Sequence, residues 1–284
     1  MLTGHTRTAG VIGSPIRHSL SPAIFNAAFA SAGLDWAYLA FDVPEGAAGH
    51  AMAAVRSLSI EGVSVTMPHK AAVLASLDTM SDDVAALGAA NCVSRRGSAL
   101  HGDNTDGPGF MDALRIDEGI DVDGQRVAVV GAGGAGRAVA RALAEAGAVV
   151  TILNRSADAA ALAASVAGPS ARVGTPGDLA DVAVVVNATP LGMGVVVSTT
   201  GAPEPMPFDV ALLGAGQIVV DLIYHPVHTP LLLAARSQGL RAVNGVGMLV
   251  HQAAHAFRHW TSEEPPLEAM SAAAVAVLSR RLDP

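Results

Sequence analysis

Short β-branched and apolar runs alternate with alanine-rich helical stretches along almost all of the 284 residues, and this alternation constrains the fold more than any other feature. Strands separated by helix-length crossovers pair most simply in parallel, with the helices covering the faces of the sheet. The chain therefore reads as α/β. Expected strands in the first third are Val11–Gly13, Tyr38–Asp42 and Gly62–Thr66. Ser21 and Pro22 offer an N-cap and a first-turn residue for a helix reaching about Ala32, and Pro68 opens another helix in the same way. At residues 102–109 the texture turns polar and glycine-rich (GDNTDGPG). Beyond Gly124 a second series follows, with strands at Arg126–Val130, Val149–Leu153, Val182–Asn187, Ile218–Asp221 and Arg241–Val243. At roughly 150 residues per domain the length implies two domains, and residues 103–110 are the expected junction. The two helices after the last strand can either extend the second domain or return to the first.

The composition, 51% hydrophobic and 15% charged, supplies buried cores and excludes a disordered chain. With 17 basic against 25 acidic residues the net charge is −8, so no global positive field draws nucleic acid or an anionic membrane surface. Any anionic ligand must be held by local donors. The single cysteine, Cys92, allows no internal disulfide, and the opening MLTGHTRTAG lacks the apolar core of a secretory signal, which makes the cytoplasm the expected compartment. The longest charge-free stretch, Val182–Pro203, has the length of a membrane span. Asn187, Pro190, its glycines and its serine–threonine run mark it instead as a buried strand followed by a loop.

Gly131, Gly133 and Gly136 form GxGxxG directly between an apolar strand and a helical run, which is the context a dinucleotide site requires. Glycine lets the backbone approach a pyrophosphate, and the helix N-terminus offers its unpaired N–H groups to the anion. At the end of the next strand stand Asn154, Arg155 and Ser156, where an NAD site would carry an acid for the ribose hydroxyl. An arginine there suits a 2′-phosphate, so NADP is the expected cofactor.

Four polar clusters stand at expected strand ends: GSPIRHSLSPAIFN (13–26), GVSVTMPHK (62–70), GAANCV (88–93) and GDNTDGPG (102–109). Singly, their serines, asparagines and aspartates read as caps and turn formers. His18 and His69 lie inside two of these clusters and His225 in the later run DLIYHPVHTPLL; without the partners of a histidine base, each is expected to position a loop or a helix start. No CxxC, HExxH or carboxylate cluster is present, and no metal is expected.

Taken together and in order, GSPIRHSLSP, VTMPHK, AANCV, DNTDG, GAGGAGRA, NRS, NATPLGM, DLIYHPVHTPLL and NGVGMLVHQAAHAF resemble shikimate dehydrogenase across nearly the whole chain. The resemblance implies an N-terminal α/β substrate domain with a mostly parallel sheet, residues 1–106, completed by 246–284. Residues 107–245 would form a Rossmann-type NADP domain. It further implies that Ser19 and Ser21 hold a substrate carboxylate with Tyr224 nearby. Thr66, Lys70, Asn91, Asp106 and Gln252 would contact ring hydroxyls, with Lys70 and Asp106 as the catalytic pair. Gly131, Ala132, Gly133, Gly134 and Ala135 would hold the cofactor phosphates and Asn154, Arg155 and Ser156 the adenosine ribose. Leu222 and Gly245 would lie near the nicotinamide.

The implied activity is NADPH-dependent reduction of 3-dehydroshikimate to shikimate on the route to chorismate and the aromatic amino acids. The implied protein is a monomer or homodimer with a small-molecule substrate and no nucleic-acid or membrane partner. Three positions depart from the family pattern: Ser64 replaces a common asparagine, Ala159 an arginine of members with firm NADP preference, and Pro190 a serine. The rival readings are an NAD-dependent quinate/shikimate dehydrogenase, an aminoshikimate-type paralogue and a non-catalytic sensor of NADP(H) or shikimate.

Overall fold

A computed structural model describes residues 2–194 and 206–282. The chain forms two compact units, one of Met1–Gly109 with Val250–Pro284, the other of Phe110–Leu249.

The first unit is built on β1 (Arg7–Gly13), α1 (Ser21–Ser31), β2 (Trp36–Asp42), α2 (Ala48–Ser57), β3 (Gly62–Val65), β4 (Thr79–Met80), α3 (Asp82–Leu87), β5 (Cys92–Arg96) and β6 (Ala99–Asp103). Its sheet has the order β2-β1-β3-β5-β6-β4 and is parallel except for β5, which runs against both neighbours. β4 and the β5–β6 hairpin are additions to the expected strands, since Ser94, Arg95, Arg96 and His101 interrupt any apolar alternation there.

Two local expectations are corrected. Ser21 is the first residue of α1 and not its cap: the N-cap is Leu20, whose carbonyl accepts from the Ala23 and Ile24 amides. After Pro68 the chain makes a tight turn and then a 3-10 turn, Ala72–Ser76, in place of an α-helix. The reason is tertiary, because the Lys70 carbonyl accepts from the Ala90 amide and is lost to a helical ladder.

Within residues 103–110, the expected junction, α4 (Asp106–Asp112) begins, and it continues as a π-helical turn, Ala113–Asp117. The second unit follows with β7 (Arg126–Val130), α5 (Gly134–Glu145), β8 (Val149–Leu153), α6 (Ala157–Ala167), β9 (Ala171–Val173), β10 (Val184–Asn187), β11 (Ile218–Asp221), α7 (Pro230–Ser237) and β12 (Arg241–Val243). The sheet order is β12-β11-β10-β7-β8-β9 and every pair is parallel. Separate apolar clusters cover its two faces, one including Val127, Val139, Leu143 and Ile152, the other Val185, Val219, Leu231 and Leu232. This is the doubly wound arrangement, and strand order reverses between β7 and β10, where such sheets bind ligands. Of the charge-free stretch, 182–187 end in the buried strand β10; its residues 195–203 lie outside the described ones.

Two helices close the chain, α8 (Val246–Thr261) and α9 (Leu267–Leu282), and from Val250 onward they belong to the first unit. There α9 packs on α1, while Trp260 and Phe257 of α8 join Phe25, Phe29 and Tyr38 in an aromatic core. The expected fold class therefore holds, with the terminal helices returning to the first domain. Among the described residues no helix is long and apolar enough to cross a membrane.

Candidate active site and nucleotide loop

The first unit gathers its polar residues where β3 and β6 end and the antiparallel β5 begins. Lys70 Nζ donates to Asp106 Oδ2 at 2.5 Å, with the two side chains 18% and 7% exposed. The other carboxylate oxygen, Oδ1, accepts from Asn91 Nδ2 at 2.8 Å, which also reaches Thr105 Oγ1 at 2.9 Å and Gln252 Oε1 at 3.5 Å. Asn91 Oδ1 in turn accepts from the Thr105 amide at 2.7 Å. Asp106 is thus held on both oxygens, and Lys70 is held by Asp106. Gln252 can join because α8 crosses close to α4: a Cβ at Gly109 would stand 2.5 Å from the Gln252 backbone nitrogen, so only glycine allows the approach.

Thr66 follows β3 directly, with its methyl against Gly13. Ser19 and Ser21 are adjacent, Ser19 Oγ accepting from the Ser21 amide at 3.2 Å. His69 is buried with its ring bonded to the Val43 carbonyl at 2.7 Å.

Residues missed by sequence reasoning complete this cluster. Thr105 braces Asn91, and Asn104 accepts from the Asp106 amide at 3.1 Å while donating to the Ala89 carbonyl at 3.0 Å. Both lie in the DNTDG run, whose density of short polar side chains was the available signal. Ser64 is bonded to the buried Tyr38 hydroxyl at 2.7 Å, and nothing in the sequence signals that pairing.

In the second unit the glycine loop has the shape of a backbone cradle. Gly131 has φ +112°, and a Cβ there would stand 2.8 Å from the Ala188 carbonyl carbon; one at Gly136 would stand 2.1 Å from the Gly131 oxygen. Gly133, by contrast, faces open space. Gly134 and Ala135 begin α5, whose first amides have no intrahelical acceptor. Asn154 Oδ1 accepts from the Ala132 amide at 3.3 Å, tying the end of β8 to the loop. Ser156 caps α6 by accepting from the Ala159 amide, and Arg155 between them is exposed. A close-packed glycine turn open at Gly133, a helix N-terminus and a cation at the next strand end fit a phosphorylated dinucleotide. Leu222 and Gly245 lie together at the ends of β11 and β12, the Leu222 oxygen 2.1 Å from where a Gly245 Cβ would stand. Tyr224 is half-buried in the same loop as Leu222.

That loop hangs on a buried carboxylate that the sequence reading passed over. Asp221 Oδ1 accepts from Asn187 Nδ2 at 2.9 Å and from the Ile223 amide at 3.1 Å, and Oδ2 accepts from Thr229 Oγ1 at 2.7 Å. Burial raises its pKa above the ordinary carboxylate range, against the lowering effect of those three donors. Among the described residues no group of three or more His, Cys, Asp or Glu side chains could hold a metal ion.

Comparison with known proteins adds independent findings. Residues 11–93 match the family model for the shikimate dehydrogenase substrate binding domain, 113–207 that for shikimate/quinate 5-dehydrogenase, and 245–275 that for the shikimate 5′-dehydrogenase C-terminal domain. The chain is 44% identical to the shikimate dehydrogenase (NADP(+)) of Symbiobacterium thermophilum, over 97% of this chain and 96% of that one. A crystal structure of a shikimate dehydrogenase in complex with NADP+ superposes with a TM-score of 0.89 at 35% identity, covering 98% of each chain. The Thermus thermophilus shikimate 5-dehydrogenase in complex with NADP(H) and shikimate gives 0.87 at 38% identity, over 96% of this chain and 100% of that one.

Proposed function

The chain belongs to the shikimate dehydrogenase family, and from that premise we propose that it catalyses the reversible NADPH-dependent reduction of 3-dehydroshikimate to shikimate. The observation that carries this reading is the Lys70–Asp106 pair, braced by Asn91 and Gln252. Bound NADPH supplies the hydride. As the ketone carbon accepts it, negative charge grows on the carbonyl oxygen, which needs a donor and then a proton. Lys70 offers both. Asp106 keeps the ammonium from swinging away, and its oxygens can accept from a substrate ring hydroxyl; Asn91 and Thr105 keep the carboxylate from turning. In the reverse direction the proton returns to Lys70 or to a water beside it. A pure sensor has no use for this pair.

On the same reading Ser19, Ser21 and Tyr224 bind the substrate carboxylate, and Thr66, Asn91 and Gln252 its hydroxyls. Residues 131–135 hold the diphosphate, and Asn154, Arg155 and Ser156 the 2′-phosphate ribose. Arg155 is the cation for the 2′-phosphate, with the Ser156 hydroxyl as a second donor, at a strand end without an acid. We place the enzyme in the cytoplasm, as a monomer or homodimer; its single cysteine, buried at Cys92, suits a reducing compartment.

Steady-state oxidation of shikimate and of quinate, each with NADP+ and with NAD+, tests the proposal. Shikimate with NADP+ is the expected best pair. No turnover in any of the four combinations overturns the reading, and a strong preference for NAD+ overturns the cofactor assignment.

A further inference from the structure

The run NATPLGM begins on Asn187, the last residue of β10. Strand register sets Asn187 between Val130, which ends β7, and Asp221, which ends β11, so three strand ends stand in one row. The glycine turn leaves the first, the 188–194 segment the second and the Leu222–Tyr224 loop the third. Backbone bonds join these exits at their roots: the Ala188 amide donates to the Val130 carbonyl at 2.8 Å and the Leu222 amide to the Asn187 carbonyl at 3.0 Å.

The Asn187 carboxamide adds a tie beyond the sheet. Its Oδ1 accepts from the Thr189 amide at 3.0 Å and from the Thr189 hydroxyl at 2.7 Å, while its Nδ2 donates to Asp221 Oδ1 at 2.9 Å. A backbone N–H can only donate, and Asp221 Oδ1 already accepts from the Ile223 amide. The carboxamide therefore has one orientation, because turning it over would set donor against donor at Thr189 and acceptor against acceptor at Asp221. Thr189 lies on the glycine turn, its methyl 3.0 Å from where a Gly131 Cβ would stand. At the other end the Ile223 carbonyl accepts from the Gly245 amide at 3.0 Å. A row of hydrogen bonds and one close packing contact thus leads from Gly131 to Ile223 and Gly245. Asn187 and Asp221 are both 0% exposed, so neither side chain reaches a ligand; they hold the segments that do.

We propose that Asn187 is a positioning residue of the cofactor site, which through Thr189 and Asp221 fixes the spacing between the turn that holds the cofactor diphosphate and the segments that face its nicotinamide. The inference rests on the shikimate dehydrogenase reading for where the two ends of the cofactor lie. Asn187 makes no contact with the cofactor and moves no proton. An error in spacing is felt only by a ligand that spans both ends: the phosphates still bind, but the nicotinamide stands off the line of hydride transfer, where small misplacements cost rate steeply.

Asn187→Ala cuts the row on both sides. The control ligand is adenosine 2′,5′-bisphosphate, which carries the adenosine end of NADP+ and no nicotinamide. In Asn187→Ala the Kd for the bisphosphate is expected to stay within about twofold of its value in the unsubstituted enzyme, the Kd for NADP+ to rise about fivefold, and kcat for shikimate oxidation to fall about tenfold or more, with the KM for shikimate changed less than about twofold. Asp221→Asn is the conservative companion, since its amide oxygen can still face Asn187 Nδ2 and the Ile223 amide while its NH2 group faces the Thr229 hydroxyl. It is expected to keep kcat within about threefold, whereas Asp221→Ala falls as far as Asn187→Ala and adds little to it in the double variant, because the row is already cut. A kcat within twofold of the unsubstituted value in a folded Asn187→Ala, equal losses of bisphosphate and NADP+ binding, an Asp221→Asn no better than Asp221→Ala, or multiplicative effects in the double variant overturns the proposal. Should Asn187→Ala fail to fold, Thr189→Val, which removes the hydroxyl donor to Asn187 Oδ1, takes its place, and an unchanged kcat there overturns it. Absence of shikimate oxidation by the unsubstituted enzyme marks instead the failure of the parent reading, and the ratio of the NADP+ and bisphosphate Kd values then decides the proposal by itself.

Discussion

At the scale of single residues, chemistry here depends on side chains that cannot turn. Asp106 is bonded on both oxygens, so the Lys70 ammonium has one low-energy place to be. Lys70→Ala is expected to lower kcat by about 100-fold or more; a change in KM alone would make Lys70 a binding residue. Asp221 is a second such anchor. Asp221→Ala strands buried donors at Asn187, Ile223 and Thr229 and is expected to cost about 2–4 kcal/mol in denaturant unfolding. Asp221 also carries a pH signature. A carboxyl whose folded pKa lies above its unfolded value stabilises the fold fully below the unfolded value, and that contribution is lost as pH rises through the folded one. Melting temperature should accordingly carry a component that declines upward from about pH 4, absent in Asp221→Asn. Parallel profiles for the two proteins would sink the assignment.

At the scale of elements, the β7–α5 turn separates what folding needs from what binding needs. Gly131 has the left-handed φ and touches Ala188, and Gly136 touches Gly131, so both serve the fold as well as the ligand. Gly133 meets nothing. Gly133→Ala is thus expected to leave the melting temperature almost unchanged while weakening NADP+ by about tenfold or more, since its methyl enters the space a pyrophosphate would take. Gly131→Ala should lose both affinity and about 1–3 kcal/mol of stability. Fluorescence titration with NADPH and thermal melts of the two variants distinguish these outcomes; equal stability losses would remove the distinction. The α4–α8 crossing at Gly109 makes the same point in the first unit, where a missing side chain lets Gln252 reach Asn91.

At the scale of the molecule, a net charge of −8 leaves anion binding to a few placed groups, and these fall in two units with separate cores. Each ligand should stabilise by mass action, by about 2.7 kcal/mol at 100 times its Kd. Hydrogen exchange should show shikimate alone protecting β5, β6 and the start of α4, and NADP+ alone protecting β7, α5 and the end of β8. Protection of the same segments by both would contradict the assignment of the sites. The α/β class, the glycine turn and the arginine after β8 were legible because each is a local pattern: periodicity, a turn between two elements, a residue at a strand end. The β5–β6 hairpin was not, because its residues do not alternate. Ser21 was misread as a cap because short polar side chains cap helices by default, whereas here it is already the first residue inside α1.

The sequence by itself determined most of the strands and helices, though not the β5–β6 hairpin or the turn after Pro68, and which residue types stand at their ends, since those depend on the backbone preferences of near neighbours. Only the tertiary structure decided which ends meet. That Asn91 braces Asp106, that Gln252 arrives from the last helices, that Asp221 holds the Leu222–Tyr224 loop and that the buried Tyr38 phenol meets Ser64 all follow from strand register and close helix approach. Hydrogen bonds between residues distant along the chain carry no periodicity to read. They exist only where packing brings a donor within about 3 Å of an acceptor.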